Sequence, residues 1–155
     1  GMTTIAYSHK CRQIAVDGRS SSGDLIASDK FKKWIVSGEE VWFLSGAIPD
    51  FDRFMQYHSG DLVGKPDFEV CCSALAAIGG ECHEFGLTPS GEPWRSILPH
   101  DFAIGSGRDF AISAMDLGMS PDKAVAHAAT RDSKTGGKIT VFDLATMSFV
   151  GADNV

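Results

Sequence analysis

Two adjacent threonines, Thr3 and Thr4, lie near the start of the chain, directly before a segment rich in β-forming residues. If Met2 is removed, Thr3 carries both a hydroxyl and a free α-amino group, which are a nucleophile and a candidate general base on one residue. Threonine is small enough to allow removal of a preceding methionine, and Gly1 is typical of the remnant of a cleaved tag. The sequence therefore predicts a threonine nucleophile that is blocked until residues 1–2 are removed.

Lys33 is the cation expected to assist this nucleophile. It lies in a predicted strand over residues 31–36, where alternation would place Phe31, Lys33 and Ile35 on one face. An ammonium group between two apolar side chains would be partly desolvated, which lowers its pKa. A nearby carboxylate would raise that pKa again, and Asp17, at the end of an adjoining predicted strand, is the expected partner. The same pattern also fits a surface lysine on an edge strand.

Strands and helices alternate along the chain in an order that must position these residues. Strands are predicted over 3–7, 13–17, 24–28, 31–36, 41–44, 81–87, 94–98, 138–142 and 147–150. Helices are predicted over 49–58, from Ser106 to Gly118, and from Ser120 to about Arg131. Residues 68–78 fit a helix or a buried strand, and the hairpin-like Gly79-Gly80 pair favours the strand. This order predicts one α+β domain over residues 3–155, with two sheets covered by helices.

Charge and hydropathy exclude two classes of protein. A net charge of −6 argues against nucleic acid as a partner, because such binding depends on Lys and Arg that neutralise phosphates. The chain has no apolar run near the roughly 18 residues that cross a bilayer, and no signal-like N-terminus. We therefore expect a cytoplasmic protein.

The cysteines and glycines predict neither a metal nor a cofactor. The four cysteines, at positions 11, 71, 72 and 82, form no Cys-x-x-Cys pair and are expected to be inert thiols. Gly105-Ser106-Gly107 lacks the lysine and hydroxyl residue that end a phosphate-binding loop. Any dependence on nucleotide hydrolysis must then come from another chain.

Three separated segments resemble the catalytic β-subunits of the proteasome and the HslV-type bacterial peptidase that works with a ring ATPase. They are residues 17–28 with Lys32-Lys33, the run Ile104-Gly105-Ser106-Gly107 with Met115-Asp116-x-Gly118, and Arg131-Asp132-x-x-Thr135-Gly136-Gly137. The initial Thr3-Thr4 pair and the spacing from Asp17 to Lys33 also match. The resemblance spans nearly the whole chain, although residues 60–98 align poorly.

The resemblance implies the N-terminal-nucleophile hydrolase fold, a four-layer αββα sandwich of two antiparallel sheets. The chain is shorter than the subunits it resembles, and the missing length follows the first helix, so one outer helix is expected to be lost or reduced. The catalytic residues implied by the resemblance are Thr3 as nucleophile, Asp17 and Lys33 as an ion pair, and Ser106, Asp132 and Thr135 around the α-amino group. Thr135 stands where the family usually has serine.

The resemblance also implies an oxyanion site and a substrate pocket. Gly46 matches the glycine whose N–H stabilises the oxyanion, within a Ser45-Gly46-Ala47 sequence that departs from the family pattern. The residues that match the pocket are Ser20, Phe31, Ile35, Ser45 and Pro49, which predict a modest apolar pocket without preference for charge.

Three functions remain open at this point: a threonine peptidase in a self-compartmentalising assembly, a small-amide hydrolase of the same fold, and a catalytically silent assembly subunit. A homo-oligomer is expected, because Trp34, Trp42 and Trp94 lie in segments that a small monomer would not fully cover. A ring ATPase partner is implied only through the resemblance.

Overall fold

The structure is a computed structural model that describes residues 3–60 and 72–151. The predictions for Gly1, Met2 and Cys71, and the part of the predicted strand over 68–71, lie outside the described residues. Within the described ranges the strands are β1 (Thr4–Ser8), β2 (Gln13–Val16), β3 (Ser20–Ser22), β4 (Leu25–Ser28), β5 (Trp34–Ser37), β6 (Glu40–Gly46), β7 (Cys72–Ile78), β8 (Glu81–Leu87), β9 (Pro93–Ile97), β10 (Phe102–Gly105), β11 (Thr140–Asp143) and β12 (Ser148–Phe149). The helices are α1 (Phe51–Ser59), preceded by a 3-10 turn (Ile48–Asp50), α2 (Arg108–Asp116) and α3 (Pro121–Ala129).

Two antiparallel five-stranded sheets form the centre of the fold. The first sheet has the order β10-β1-β2-β11-β12, the second has the order β5-β6-β7-β8-β9, and β3 pairs with β4 in a separate hairpin. Because side chains alternate along a strand, each sheet turns one set of side chains towards the other sheet. This inner layer includes Ile5, Ile14 and Val16 of the first sheet and Phe43 and Leu75 of the second, all fully buried.

Helices cover the outer faces of both sheets. On the first sheet, α2 and α3 approach closely through small side chains, with Ala6 and Ala15 packed in the same cluster as Ala111 and Ala128. On the second sheet, the aromatic side chains of α1 pack against Trp42, Leu44 and Phe85. These layers make an αββα sandwich, which confirms the predicted fold class. Of the described helices, α1 is the one that packs on the second sheet.

The structure corrects the predicted strands at three positions. The strand predicted over 31–36 begins only at Trp34, so Phe31 and Lys33 precede it. β3 was not predicted, because its Ser-Ser-Ser sequence reads as a loop. β10 was also not predicted. The hairpin at Gly79-Gly80 and the strand character of Cys72–Ile78 agree with the prediction.

The three tryptophans on which a homo-oligomer was predicted differ in burial, and only Trp94 keeps a large exposed surface. Trp42 is 6% exposed, beneath α1, and Trp34 packs against Phe43 and Phe149 at the inter-sheet core. Trp94 on β9 keeps 38% of its surface exposed. Among the described residues, no helix is long enough or apolar enough to span a bilayer.

Candidate active site

The pairing of β1 with β2 brings Thr3 next to Asp17. Ile5 pairs with Val16, so the residues just outside this pair, Thr4 and Asp17, meet at the same end of the hairpin. The backbone N–H of Asp17 donates to the carbonyl of Thr4 at 3.3 Å. The Thr3 hydroxyl donates to Oδ1 of Asp17, and both residues are almost completely buried.

Lys33 completes this cluster from the second sheet. Its carbonyl accepts a bond of 2.9 Å from the N–H of Leu44, which fixes the chain just before β5 begins. Its Nζ donates to Oγ1 of Thr3 at 2.5 Å and to Oδ1 of Asp17 at 2.8 Å. Lys33 lies outside the strand where it was predicted, yet it is only 4% exposed. The structure therefore rejects the alternative of a surface lysine.

Burial and neighbouring charges act in opposite directions on Lys33. Desolvation lowers the pKa of its ammonium group, and the charge of Arg19 adds to this effect. The charges of Asp17 and Asp132, with the hydrogen bond to Asp17, raise that pKa, but the net result is a pKa below the usual value of a lysine. The ammonium group next to the Thr3 hydroxyl thus releases its proton more easily than an exposed lysine would.

Asp17 is held by donors on both of its oxygens. Besides Thr3 and Lys33, the backbone N–H of Thr4 donates to Oδ1 at 3.1 Å. The N–H of Gly136 donates to Oδ2 at 3.0 Å, and the N–H of Arg19 reaches the same oxygen at 3.4 Å. A carboxylate surrounded in this way is preorganised as an acceptor and as a counter-charge for Lys33.

A second cluster joins Ser106, Asp132 and Thr135 to the two threonines. The hydroxyls of Ser106 and Thr135 each donate to Oδ2 of Asp132 at 2.6 Å. Thr135 has only one hydroxyl proton, so the 2.7 Å contact between Thr4 and Thr135 must be a bond donated by Thr4. Ser106 also lies 3.3 Å from the carbonyl oxygen of Thr3. The structure therefore brings all six predicted catalytic residues together.

The donors around Asp132 keep it in its charged form. Burial alone would raise the pKa of this carboxyl group. The bonds from Ser106, Thr135 and the N–H of Lys134, together with the positive charge of Lys33, outweigh burial and lower the pKa. Asp132 is thus suited to orient hydroxyl groups.

Glycines in the Gly105-Ser106-Gly107 segment are required by the closeness of the threonines. A Cβ at Gly105 would overlap the Thr3 carbonyl, and Gly105 has φ of +98°, which side-chain-bearing residues rarely adopt. A Cβ at Gly107 would overlap the hydroxyl of Thr4. The N–H of Gly107 instead donates to the Thr3 carbonyl at 3.3 Å. This segment therefore fixes the backbone of Thr3.

A cavity of about 260 Å³ opens beside Thr3 and Lys33. Its other lining residues are Arg19, Ser20, Ser21, Phe31, Leu44, Gly46, Ala47, Ile48, Pro49 and Phe51. Most of these are apolar, so the space next to Thr3 is shaped for an apolar group. Of the predicted pocket and oxyanion residues, Ser20, Phe31, Gly46 and Pro49 line it.

Ile35 and Ser45 are not among the cavity residues, and strand geometry explains both cases. Leu44 and Ser45 are neighbours on β6 and point to opposite faces, so Leu44 reaches the cavity while Ser45 does not. Ile35 pairs with Trp42 and packs in the layer beneath α1.

Six further lining residues were not predicted: Arg19, Ser21, Leu44, Ala47, Ile48 and Phe51. Alternation along the predicted strand over 41–44 could have indicated Leu44 in place of Ser45. Arg19 lies two residues after Asp17, and this spacing could have indicated that Arg19 is also close to the cavity. Within residues 3–60 and 72–151, no group of three His, Cys, Asp or Glu residues is arranged to hold a metal ion.

Comparisons with solved structures identify the fold. BPH from Thiobacillus denitrificans, in complex with epoxomicin, matches with a TM-score of 0.67 and 17% identity over 90% of this chain and 97% of that chain. Eukaryotic HslV from Trypanosoma brucei matches with a TM-score of 0.68 and 19% identity over the same shares of the two chains. No family model and no curated protein matches the sequence. The predicted resemblance is thus confirmed at the level of structure: the protein has the fold of HslV-type, proteasome-like chains.

Proposed function

We propose that the protein is an N-terminal threonine hydrolase that cleaves peptide bonds through an acyl-enzyme ester. The observation that carries this proposal is the contact of the Thr3 hydroxyl with both Lys33 and Asp17 in a buried site beside an apolar cavity. A hydroxyl in this position has a cation to stabilise its alkoxide and a fixed direction of attack. The chemistry requires removal of residues 1–2, which frees the α-amino group of Thr3.

In the first stage, Oγ1 of Thr3 attacks the carbonyl carbon of the scissile amide. Its proton passes to the α-amino group of Thr3, directly or through a water molecule. Ser106, Asp132 and Thr135 orient that amino group, and the N–H of Gly46 and the ammonium of Lys33 stabilise the tetrahedral oxyanion. When the C–N bond breaks, the leaving amine takes the proton and an ester remains on Thr3. In the second stage, water attacks the ester, releases the acid and restores the hydroxyl.

The decisive experiment is intact mass spectrometry of protein whose first residue is Thr3, with and without epoxomicin, which is bound to the BPH structure. We expect one inhibitor per chain, and loss of this adduct in Thr3→Ala. Fluorogenic peptides and single amino-acid amides, tested in parallel, distinguish a peptidase from a small-amide hydrolase. A protein with exposed Thr3 that neither forms the adduct nor cleaves either substrate class would be the silent subunit instead.

We further propose that the residue on the acyl side of the cleaved bond is apolar. Phe31, Leu44 and Phe51 line the cavity, and the charges of Arg19 and Lys33 are paired with Asp29 and Asp17. A panel of fluorogenic peptides that differ at this residue tests the preference, and a preference for acidic or basic residues refutes it. Ile48 lines the cavity and is 46% exposed, so Ile48→Glu should fold and shift the preference towards Lys and Arg.

We also propose that the protein forms a homo-oligomer, works with a ring ATPase and is located in the cytoplasm. Exposed apolar side chains such as Trp94, Leu25 and Leu117 favour burial against further copies of the chain. Light scattering after size-exclusion chromatography gives the particle mass, and a monomer would contradict a chambered peptidase. Stimulation of peptide cleavage by a co-expressed ring ATPase tests the partner.

A further inference from the structure

Two side chains connect the β3–β4 hairpin to the loop that carries Asp132 and Thr135. From the hairpin side, Arg19 donates through NH1 to the carbonyl of Ser133 at 3.2 Å. From the loop side, Nζ of Lys134 donates to the carbonyl of Gly23 at 2.6 Å. The hairpin lines the substrate cavity and the loop holds the catalytic carboxylate, so these bonds link substrate contact to catalytic geometry.

Asp29 holds the guanidinium of Arg19 in a fixed orientation. Nε of Arg19 donates to Oδ1 of Asp29 at 2.8 Å, and NH2 donates to Oδ2 at 3.2 Å. A planar guanidinium paired in this two-pronged way has little freedom to rotate. The carbonyl of Asp29 also accepts a bond of 2.9 Å from the N–H of Lys138, beyond the loop. Arg19 is thus fixed by the carbonyl of Ser133 within the loop and by Asp29, whose own backbone is bonded to Lys138 just after the loop.

The fixed guanidinium lies against the backbone that supports Asp17. A Cβ added at Gly136 would come within 2.5 Å of Cζ of Arg19, so only glycine allows this approach. The N–H of the same Gly136 donates to Asp17 at 3.0 Å. Arg19 therefore lies against the residue that supplies one of the donors to Asp17.

The ion pair also contributes charge near Lys33. The charged groups that act on Lys33 are Asp17, Asp132, Arg19 and Asp29, together with the α-amino group of Thr3 once it is free. Arg19 disfavours the ammonium form of Lys33, and Asp29 interacts favourably with it. The two members of the pair therefore have opposite effects on the same ammonium group.

We propose that Arg19, oriented by Asp29, is a positioning residue that holds the loop of residues 132–136 against Asp17 and balances the charge around Lys33. It touches neither the reacting hydroxyl nor the scissile bond in the mechanism above. The proposal rests on the proposed function, because positioning matters for catalysis only if Thr3 is the nucleophile.

Opposite charge changes within the pair should have opposite effects on Lys33. Arg19→Met removes a positive charge and should raise the pKa of Lys33, whereas Asp29→Asn leaves Arg19 uncompensated and should lower it. Arg12→Met is the matched control. Arg12 lies at the end of the β1–β2 hairpin that is far from Lys33, where it donates to the carbonyl of Gly80, so its loss should leave the pKa of Lys33 unchanged. NMR titration of isotope-labelled lysine, with the Lys33 signal assigned from Lys33→Arg, measures all three.

Kinetics provide a second readout in protein that begins with Thr3. Arg19→Lys keeps the charge but loses the two-pronged geometry, so kcat should fall about tenfold with little change in the pKa of Lys33. Shifts of the Lys33 pKa in the same direction for Arg19→Met and Asp29→Asn, or no shift in either, would overturn the proposal. If Arg19→Met does not fold, the expected fall in Asp29→Asn decides alone. Because the titration needs no turnover, failure of epoxomicin to label the wild type would reject the proposed function separately.

Discussion

Lys33 and His58 are both basic side chains withdrawn from water, but their surroundings differ. Lys33 contacts the carboxylate of Asp17 and the hydroxyl of Thr3. His58 lies among the rings of Trp42, Phe54 and Phe85, with centroid distances of 5.9, 4.6 and 5.0 Å. Burial lowers the pKa of each, and for His58 the value falls to about 4. At His58 the charge of Arg95 adds to the effect of burial, whereas at Lys33 the carboxylate of Asp17 opposes burial and favours the ammonium form.

Replacing the cation should have the largest effect. In the proposed mechanism, Lys33→Met removes the group that stabilises the Thr3 alkoxide, and it leaves Asp17 buried without its counter-ion. We expect kcat/KM to fall by at least about 10³-fold and the free energy of unfolding to fall by about 3–5 kcal/mol. Peptide cleavage and urea unfolding measure the two losses.

The control for Lys33→Met is Arg12→Met, which removes the same charge from an exposed position at the other end of the hairpin. It should change the free energy of unfolding by less than about 0.5 kcal/mol and leave kcat/KM within about twofold. Equal losses in both variants would show that the buried ion pair has no special role.

Thr135 offers a smaller test, of the hydroxyl cluster. Thr135→Val keeps the shape but removes the group that accepts from Thr4 and donates to Asp132. Leaving a buried donor and part of a carboxylate unsatisfied should cost about 1–3 kcal/mol of stability and reduce kcat. Thr135→Ser retains the hydroxyl and should stay close to wild type in both urea unfolding and peptide cleavage. Equal stability and equal activity in the two variants would show that the Thr135 hydroxyl has no special role.

Residue types and their order predicted two sheets covered by helices and the placing of Asp17 beside Lys33 and Thr3. The four-layer arrangement and the grouping of Ser106, Asp132 and Thr135 came only from the resemblance to proteasome-like chains, because these three residues have no local pattern that predicts their contacts. The residues of the pocket were harder to predict from the sequence. A difference of one position on β6 separates Leu44, which lines the cavity, from Ser45, which points to the opposite face of the sheet. The role proposed for Arg19 rests on contacts with Asp29 and Ser133, which are distant in sequence and have no local pattern.

The smallest expected effect is the pH dependence of the free energy of unfolding that comes from His58. This measurement tests the contrast between His58 and Lys33. The unfolded chain binds a proton at His58 below about pH 6.5, but the folded protein does so only below about pH 4. The unfolded state therefore holds more protons between these values, so stability falls as the pH is lowered through this window. Because His58 is only partly buried, we expect its contribution to be about 1–2 kcal/mol.

His58→Phe isolates that contribution, because the aromatic ring fills the space among Trp42, Phe54 and Phe85 without titrating. His58→Phe also removes the hydrogen bond to Gly86, which raises the pKa of His58 and so opposes part of the effect of burial. Urea unfolding from pH 7 to pH 4 should show wild type losing stability relative to the variant as the pH falls. Arg95 lines the same cavity, and its positive charge adds to burial in lowering the pKa of His58, so the difference between wild type and variant measures both effects together. A pH-independent difference would mean that the folded protein protonates His58 as easily as the unfolded chain does.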